Sequence, residues 1–377
     1  MNILNVYYLS LKNTGKYFQH NLANKNVFWS RLTWLKWLKI GILKTIIWKV
    51  FCYFEPILSV IIVSFQLVPY IIKSFLTRHQ PIGDMLYIDN CPLLKKRTMS
   101  AGLYDSSVDW LYSLSIPKSN WDIGKRCHSI FEYVSLMDVL KSYVLSIVAI
   151  IGTSFKVKFK YVMGTFSCME FFLTHFFLEN ISEDVTLCFC NQVDRWAVLF
   201  DRSHQKNKIL FQHGIEMPSA DWPVKFEHTN TVYALSKKEA DYLFHAVFNK
   251  LPENVKIMNP TINLEPINIK EKLSVLIVGY PSYGLYEKES YLIEKLQSDD
   301  ILVYFKPHPG KMEITKYDEL AKTNKVVILK EQLFPDVSFV VSYRSTLAVE
   351  YEVYDKIVLF YEEHPVDEIV DIIQRSL

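Results

Sequence analysis

Two stretches of the chain carry residue types suited to one kind of chemistry, the handling of a phosphate. Val303-Tyr304-Phe305-Lys306-Pro307-His308-Pro309-Gly310 is a short apolar run that breaks into a basic, proline-stiffened loop. It reads as a buried strand with a cation and an imidazole at its carboxyl end. Val340-Val341-Ser342-Tyr343-Arg344-Ser345-Thr346 is a second apolar run, opening into hydroxyls and then a helix that contains Glu350. Open α/β sheets bind their ligands at the carboxyl ends of parallel strands. A cation, an imidazole and the amides that start a helix together match phosphate oxygens. Lys306, His308 and Pro309 are therefore candidates for phosphate or ribose contact, and Ser342, Ser345 and Thr346 for a nucleotide's phosphates. Arg344 is a charge partner for a leaving phosphate or a surface arginine. Glu350 accepts ribose hydroxyls or is a solvated helix residue. Each motif also has an ordinary reading, since His between prolines serves in turns and Ser-Thr before a helix serves as a cap. Their succession on units of one sheet favours binding.

A third stretch, Gln212-His213-Gly214-Ile215-Glu216, follows another buried run. A histidine before a glycine at a strand end has little steric cover, and imidazole titrates near neutrality. His213 is thus a candidate general base for an acceptor hydroxyl, with Glu216 and Asp221 to orient or replace it. The alternative is a ring that satisfies loop carbonyls. Gly279, first in the loop Gly279-Tyr280-Pro281-Ser282-Tyr283-Gly284, allows a ligand to come close. No Gly-x-Gly-x-x-Gly follows that strand and no P-loop occurs, so neither a nicotinamide nor a flavin cofactor is expected.

The elements that must position these residues alternate between strand and helix. Strands are expected at Ile3–Leu9, Met85–Asp89, Val185–Cys190, Lys208–Phe211, Thr231–Leu235 and Val255–Met258. Helices are expected at Asp105–Leu114, Cys127–Leu140, Met163–Asn180, Asp194–Arg202 and Lys237–Phe248, the last opened by a Ser236/Glu239 capping box. Lys141–Gly152 reads as an apolar helix or a strand-helix pair. Asn259–Lys272, with two prolines and mixed charge, reads as a linker. The pattern then restarts, with strands at Ser274–Val278, Leu302–Phe305, Val326–Leu329, Phe339–Ser342 and Ile357–Phe360. Helices separate them at Glu287–Gln297, Ile314–Lys322, Glu331–Pro335, Thr346–Tyr354 and Val366–Leu377. Alternation at this spacing gives parallel, right-handed βαβ sheets. The expected fold is α/β of the GT-B kind, two Rossmann-like domains facing a cleft, over residues 1–265 and 271–377, with an apolar helical N-terminal segment.

That segment, within residues 28–76, interleaves Trp29, Trp34, Trp37 and Trp48 with Arg31, Lys36, Lys39, Lys44 and Lys49. Tryptophan with lysine on an apolar helix is the composition of a membrane-interface element. Pro56–Leu76 has one charge, Lys73, and is long enough to cross a bilayer, although Gln66 and Pro69 tax a lipid-exposed helix. An interface-lying hairpin, a true span and a buried helical pair are the three readings. The 377-residue chain is 50% hydrophobic and 15% aromatic, enough for two cores, and its net charge of +2 says little about partners. No nucleic-acid partner is expected. Six scattered cysteines without a CxxC pair fit reduced thiols in a cytosolic setting rather than a disulfide scaffold or a zinc site. The first twenty residues lack an apolar core followed by small residues, so no cleavable leader is expected.

Residues 185–377 resemble bacterial GT-B glycosyltransferases of surface polysaccharides and lipooligosaccharides. Lys306, His308 and Pro309 are similar to the His-Pro motif of bacterial sialyltransferases, and Ser345 and Thr346 to their Ser/Thr motif, which bind the donor's CMP. The acidic catalytic motif of those enzymes is not found here as such. His213 and Gly214 resemble the His-Gly motif of CDP-glycerol glycerophosphotransferases. The resemblance implies an inverting, metal-independent transfer from a nucleotide-activated sugar, CMP-linked by preference, to a lipid-linked or oligosaccharide acceptor at the inner membrane leaflet. It equally admits a polyol-phosphate transferase or a non-catalytic scaffold with the same fold.

Overall fold

The computed structural model describes residues 2–23, 41–89, 94–104, 108–112, 126–156, 167–192, 194–215, 221–266, 272–279, 286–307, 321–322, 326–329 and 333–377. The chain divides into two compact units, Met1–Ile257 and Met258–Leu377.

The first unit is a seven-stranded sheet with every recorded pairing parallel. Its strands are β1 (Met85–Asp89), β2 (Asp109–Tyr112), β3 (Cys127–His128), β4 (Thr186–Cys190), β5 (Lys208–Phe211), β6 (Thr231–Ala234) and β7 (Asn254–Ile257), ordered β3-β2-β1-β4-β5-β6-β7. Helices α1 (Ile3–Ala23), α2 (Gly41–Leu76), α3 (Leu94–Ser100), α4 (Leu136–Lys156), α5 (Cys168–Asn180), α6 (Arg195–Asp201) and α7 (Lys237–Val247) join or flank them. Leu187, Cys188, Phe189 and Cys190 are all buried, as an interior parallel strand covered on both faces requires. Cys127, Cys168, Cys188 and Cys190 are free thiols, and burial pushes Cys168 up to about 12.

Three expectations fail in this unit, each for a local reason. Ile3–Leu9 is the start of a helix rather than a strand. Tyr7, Ser10 and Leu11 are buried while Asn5 and Lys12 are exposed, a helical rather than an alternating period. Within the expected helix Asp105–Leu114, residues 109–112 form β2, whose four residues are all buried. Cys127–Leu140 breaks into three pieces. β3 comes first, then a 3₁₀ turn at Ile130–Glu132 with a Ser129/Glu132 capping box. Next, Ser135 opens α4, its N–H and hydroxyl both donating to Asp138 Oδ2 at 3.0 and 2.7 Å. Two short caps override a single long apolar period.

The second unit is a five-stranded parallel sheet of β8 (Leu273–Val278), β9 (Ile301–Lys306), β10 (Val326–Ile328), β11 (Phe339–Ser342) and β12 (Ile357–Phe360), ordered β10-β9-β8-β11-β12. Its helices include α8 (Tyr286–Lys295), α9 (Thr346–Val353) and α10 (Val366–Gln374). Leu333–Pro335 is extended rather than helical, and Pro335 bridges Glu265. Residues 258–266, expected to lie in the first domain and the linker, instead pack on this unit. Ile262 is buried in its core beside Leu276 and Val340.

A buried ion cluster fastens the β2–β3 side of the first sheet. His128 Nδ1 lies 2.7 Å from Glu132 Oε2, and its Nε2 lies 3.0 Å from Asp109 Oδ1. Asp109 also meets Arg126 Nε at 3.0 Å and takes the Gly83 N–H at 2.6 Å. Burial pushes the His128 ring's pKa down, but the bonds to Glu132 and Asp109 more than offset this and hold it above its ordinary value. A raised folded pKa stabilises most below the unfolded value of about 6.5, and that stability is lost as pH rises through the folded pKa. His128→Gln should therefore cost about 3 kcal/mol at pH 6, and less at pH values above the folded pKa. Urea melts of both proteins across pH check this, and a difference that stays constant with pH contradicts it.

Candidate functional site

In the second sheet the strands run outward in both directions from the β8–β11 pair, so the strand order reverses there. Such a switch point leaves a crevice at the carboxyl ends, where ligands bind. Register aligns Val278 with Lys306 on one side and with Ser342 on the other, and Ser342 with Phe360. The Gly279 N–H donates to the Lys306 carbonyl at 2.9 Å, carrying the ladder one residue further. Gly279, Lys306 and Ser342 thus share one edge.

Directly beyond Ser342 the chain turns into α9. Ser345 is its N-cap, with Oγ accepting the Ala348 N–H at 3.2 Å and lying 3.0 Å from the Ser342 hydroxyl. The N–H groups of the first turn, beginning at Thr346, project from the helix's amino end beside this hydroxyl pair. Lys306 is half-buried. Its ammonium donates to the Leu333 carbonyl at 3.2 Å and lies 4.6 Å from the centre of the Phe334 ring. Burial pulls its pKa below that of an ordinary lysine. An anion beside it would favour the charged form and push the pKa back up.

For two neighbours the ordinary reading fails. Arg344 is no surface arginine: it is buried, its guanidinium 5.7 Å from the Phe360 ring and its main-chain N–H donating to Glu362 at 3.3 Å. Glu350 is no solvated helix residue either. It is buried and accepts the Thr261 hydroxyl at 2.7 Å, which ties the segment entering this unit to α9. His308 and Pro309 lie outside the described residues, as does Glu216 in the first unit.

In the first sheet the order reverses between β1 and β4. Past β4, Asn191 takes a positive φ of 75° and Gln192 turns inward. Past the adjacent β5 come Gln212, His213 and Gly214. The His213 N–H donates to Gln192 Oε1 at 3.1 Å, and its carbonyl accepts Arg97 Nη2 at 3.3 Å. Gln212 Nε2 donates to the Gly214 carbonyl at 2.9 Å and to Glu239 at 3.2 Å, while its Oε1 accepts the Leu235 N–H at 3.0 Å. Arg97, Gln192, Gln212 and Glu239 are all buried. They hold the main chain on both sides of His213, and a side chain added at Gly214 would meet none of the described residues within 4 Å. His213 therefore sits on a loop whose main chain is fixed by buried partners.

Those four positioning residues were missed by the motif reading. Glu239 was masked by its capping-box spacing: Ser236 does accept the Glu239 N–H, but the Glu239 carboxylate bonds Gln212. A buried amide at the end of an apolar strand, Gln212, was the available signal. Asp221 is not brought to this loop. Its neighbour Trp222 bonds the Ala246 carbonyl, at the end of α7 remote from β6's carboxyl edge. The Asp221 carboxylate is exposed and paired with Lys225 at 2.9 Å. A concavity of about 310 Å³ lined by His204, Lys208, His228 and Asn230 also lies at that amino-terminal edge, away from the motifs. Among the described residues, no group of three or more His, Cys, Asp and Glu side chains is placed to hold a metal ion.

No protein-family model and no curated protein sequence matches the chain. Solved structures are similar to it at low identity. The wall teichoic acid polymerase TagF has a TM-score of 0.42 and 10% identity, over 83% of this chain and 78% of its own. The lipopolysaccharide outer core galactosyltransferase WaaB gives 0.41 and 9%, over 76% and 88%. OtsA gives 0.40 and 9%, over 78% and 91%. At these scores the likeness assigns no activity to this chain.

Gln212→Leu should leave Glu239 and the Gly214 carbonyl short of a buried partner, costing about 2 kcal/mol. Amide hydrogen exchange over residues 212–215 should speed up with it. Unchanged stability and exchange would show that the network does not hold the loop.

Proposed function

We propose that the chain is a GT-B-type glycosyltransferase that moves a sugar from a nucleotide-activated donor, CMP-linked by preference, to a growing bacterial surface glycan. The observation that carries this reading is the meeting of Gly279, Lys306, Ser342 and the Ser345-capped start of α9 where the strand order reverses. That combination suits the phosphate of a leaving nucleotide. Lys306 and the α9 amides meet the negative charge that grows as the sugar–phosphate bond breaks, and fixed donors aimed at developing charge lower a barrier. His308 adds a further donor in this reading. His213 takes the proton from the acceptor hydroxyl as the new glycosidic bond forms, an inverting displacement that uses no metal. The acceptor is lipid-linked or an oligosaccharide, met at the inner leaflet.

A second reading rests on the rigidly held His213-Gly214 pair. It is a polyol-phosphate transfer from CDP-glycerol or CDP-ribitol, in which the phosphate moves with the alcohol. Phosphorus nuclear magnetic resonance of the product separates the two, since only this second reaction leaves a phosphodiester in the glycan.

A thermal-shift panel of CMP, CDP, UDP, GDP and their sugar conjugates tests the donor class. A ligand at a hundred times its Kd stabilises the fold by about 2.7 kcal/mol. CMP should raise the Tm, and Lys306→Ala should diminish that rise. Stabilisation by UDP or GDP alone contradicts the CMP assignment. His213→Ala should keep nucleotide binding while lowering kcat roughly a hundredfold or more. Undiminished turnover would remove His213 as the base.

A further inference from the structure

Helices α2 and α4 lie against each other, and each presents an apolar row to solvent. On α2 the row includes Ile57, Ile61, Phe65, Val68, Ile72 and Phe75, and on α4 it includes Met137, Val144, Val148 and Ile151. Phe65 is 78% exposed and Phe75 69% exposed, far beyond what scattered surface residues explain. The spacing is helical, so each row occupies one face. The opposite faces enter one core: Val63 of α2 and Val139, Ala149 and Ile150 of α4 cluster with Leu86 and Phe189 of the sheet. Both rows therefore face outward, away from that core. At 1.5 Å per residue they run for roughly 30 Å and 20 Å.

We infer that this paired-helix face is a monotopic membrane-docking surface, seated at the headgroup and acyl boundary of an anionic bilayer. The inference goes beyond the transfer reaction and does not depend on it. Three observations select lipid over a second copy or another protein. First, the face offers little to hydrogen-bond. Ser64 and Ser74 each donate to a main-chain carbonyl three or four residues back, and Ser64 also lies 3.2 Å from the Tyr143 hydroxyl between the helices. Protein interfaces carry about one hydrogen bond per 100–200 Å², whereas hydrocarbon demands that polar groups be satisfied internally. Second, two lysines of these helices lie against aromatic rings. Lys73 is 5.5 Å from the centre of the Phe131 ring, and Lys141 is 5.8 Å from that of Phe176. Third, cations and tryptophans flank the row in sequence: Arg78 and His79 after it, and Trp34, Lys36, Trp37, Lys39, Lys44, Trp48 and Lys49 before it. That is the composition that meets anionic headgroups.

The same geometry chooses lying on the bilayer over crossing it. Both helices are long and apolar enough to span, over Pro56–Leu76 and Leu136–Thr153. Yet α4 buries Val139, Ala149 and Ile150 in the core of an α/β unit, and α2 packs beside α4 with Val63 entering the same core. A helix pair anchored to the core in that way rests on a membrane rather than across it.

Flotation of the full-length protein with vesicles tests this, using phosphatidylcholine alone and phosphatidylcholine with phosphatidylglycerol. The wild type should float with the anionic vesicles, and less so with the neutral ones. The variants Phe65→Glu and Val144→Glu add charge where the side chain is already exposed, so the fold should persist, as circular dichroism would verify. Each should lower the bound fraction roughly tenfold, while Val255→Glu, on the exposed edge strand β7, should not. Three results overturn the inference. One is a wild type that stays with the soluble fraction. Another is binding that Phe65→Glu leaves unchanged. The last is a dimer that Phe65→Glu dissociates, with no vesicle binding at all.

Discussion

The pairing of β8 with β11 is the constraint on which the second unit and its site depend. These strands are far apart in sequence, yet their register sets Val278 opposite Ser342. Side chains alternate along a strand, so a slip of one residue would carry every side chain into the packing of the opposite face. The burial of Val275, Leu276, Ile277, Val340 and Val341 on both faces of the sheet holds the register. With the register fixed, Gly279, Ser342 and Lys306 have to emerge together at one edge. The hydroxyl pair and the start of α9 follow within four residues. The site is thus a consequence of how two apolar runs must pair.

The first unit uses buried polar groups for a related purpose. An apolar loop at the end of β5 would have many conformations. Gln192, Gln212, Arg97 and Glu239 remove them by giving the backbone around His213 specific partners. Buried networks of this kind are costly if any member is unpaired, and so they fix a single arrangement. The ion cluster around His128 does the same for the β2–β3 side, and the Asp201 carboxylate does it for the loop before β6. Asp201 accepts the N–H groups of Glu227, His228 and Thr229 at 2.8–3.1 Å.

Much of the architecture was legible because parallel strands buried on both faces leave apolar runs that nothing else explains. Val185–Cys190, Lys208–Phe211 and Phe339–Ser342 are of that type, and each was found within a residue. Where local caps or tertiary burial decide, the sequence misleads. β2 carries Asp109 in a buried strand because His128 and Arg126 stand beside it, and those partners are seventeen or more residues away. The site motifs were legible as strand-end loops, but their partners were not. Glu350 bonds Thr261 and Gln212 bonds Glu239, contacts that spacing cannot reveal. For α2 the choice among three membrane readings needed α4, whose apolar row joins it only in the folded chain.

The most direct test of the account asks where a nucleotide binds. Hydrogen-exchange mass spectrometry of the protein with and without saturating CMP reads this peptide by peptide. The account predicts slowed exchange in the peptides that contain Gly279, Lys306 and residues 342–349, with the amino-terminal edge of the first sheet unchanged. Protection confined to that other edge, around Lys208 and His228, or no protection at a concentration that shifts the Tm, would contradict it.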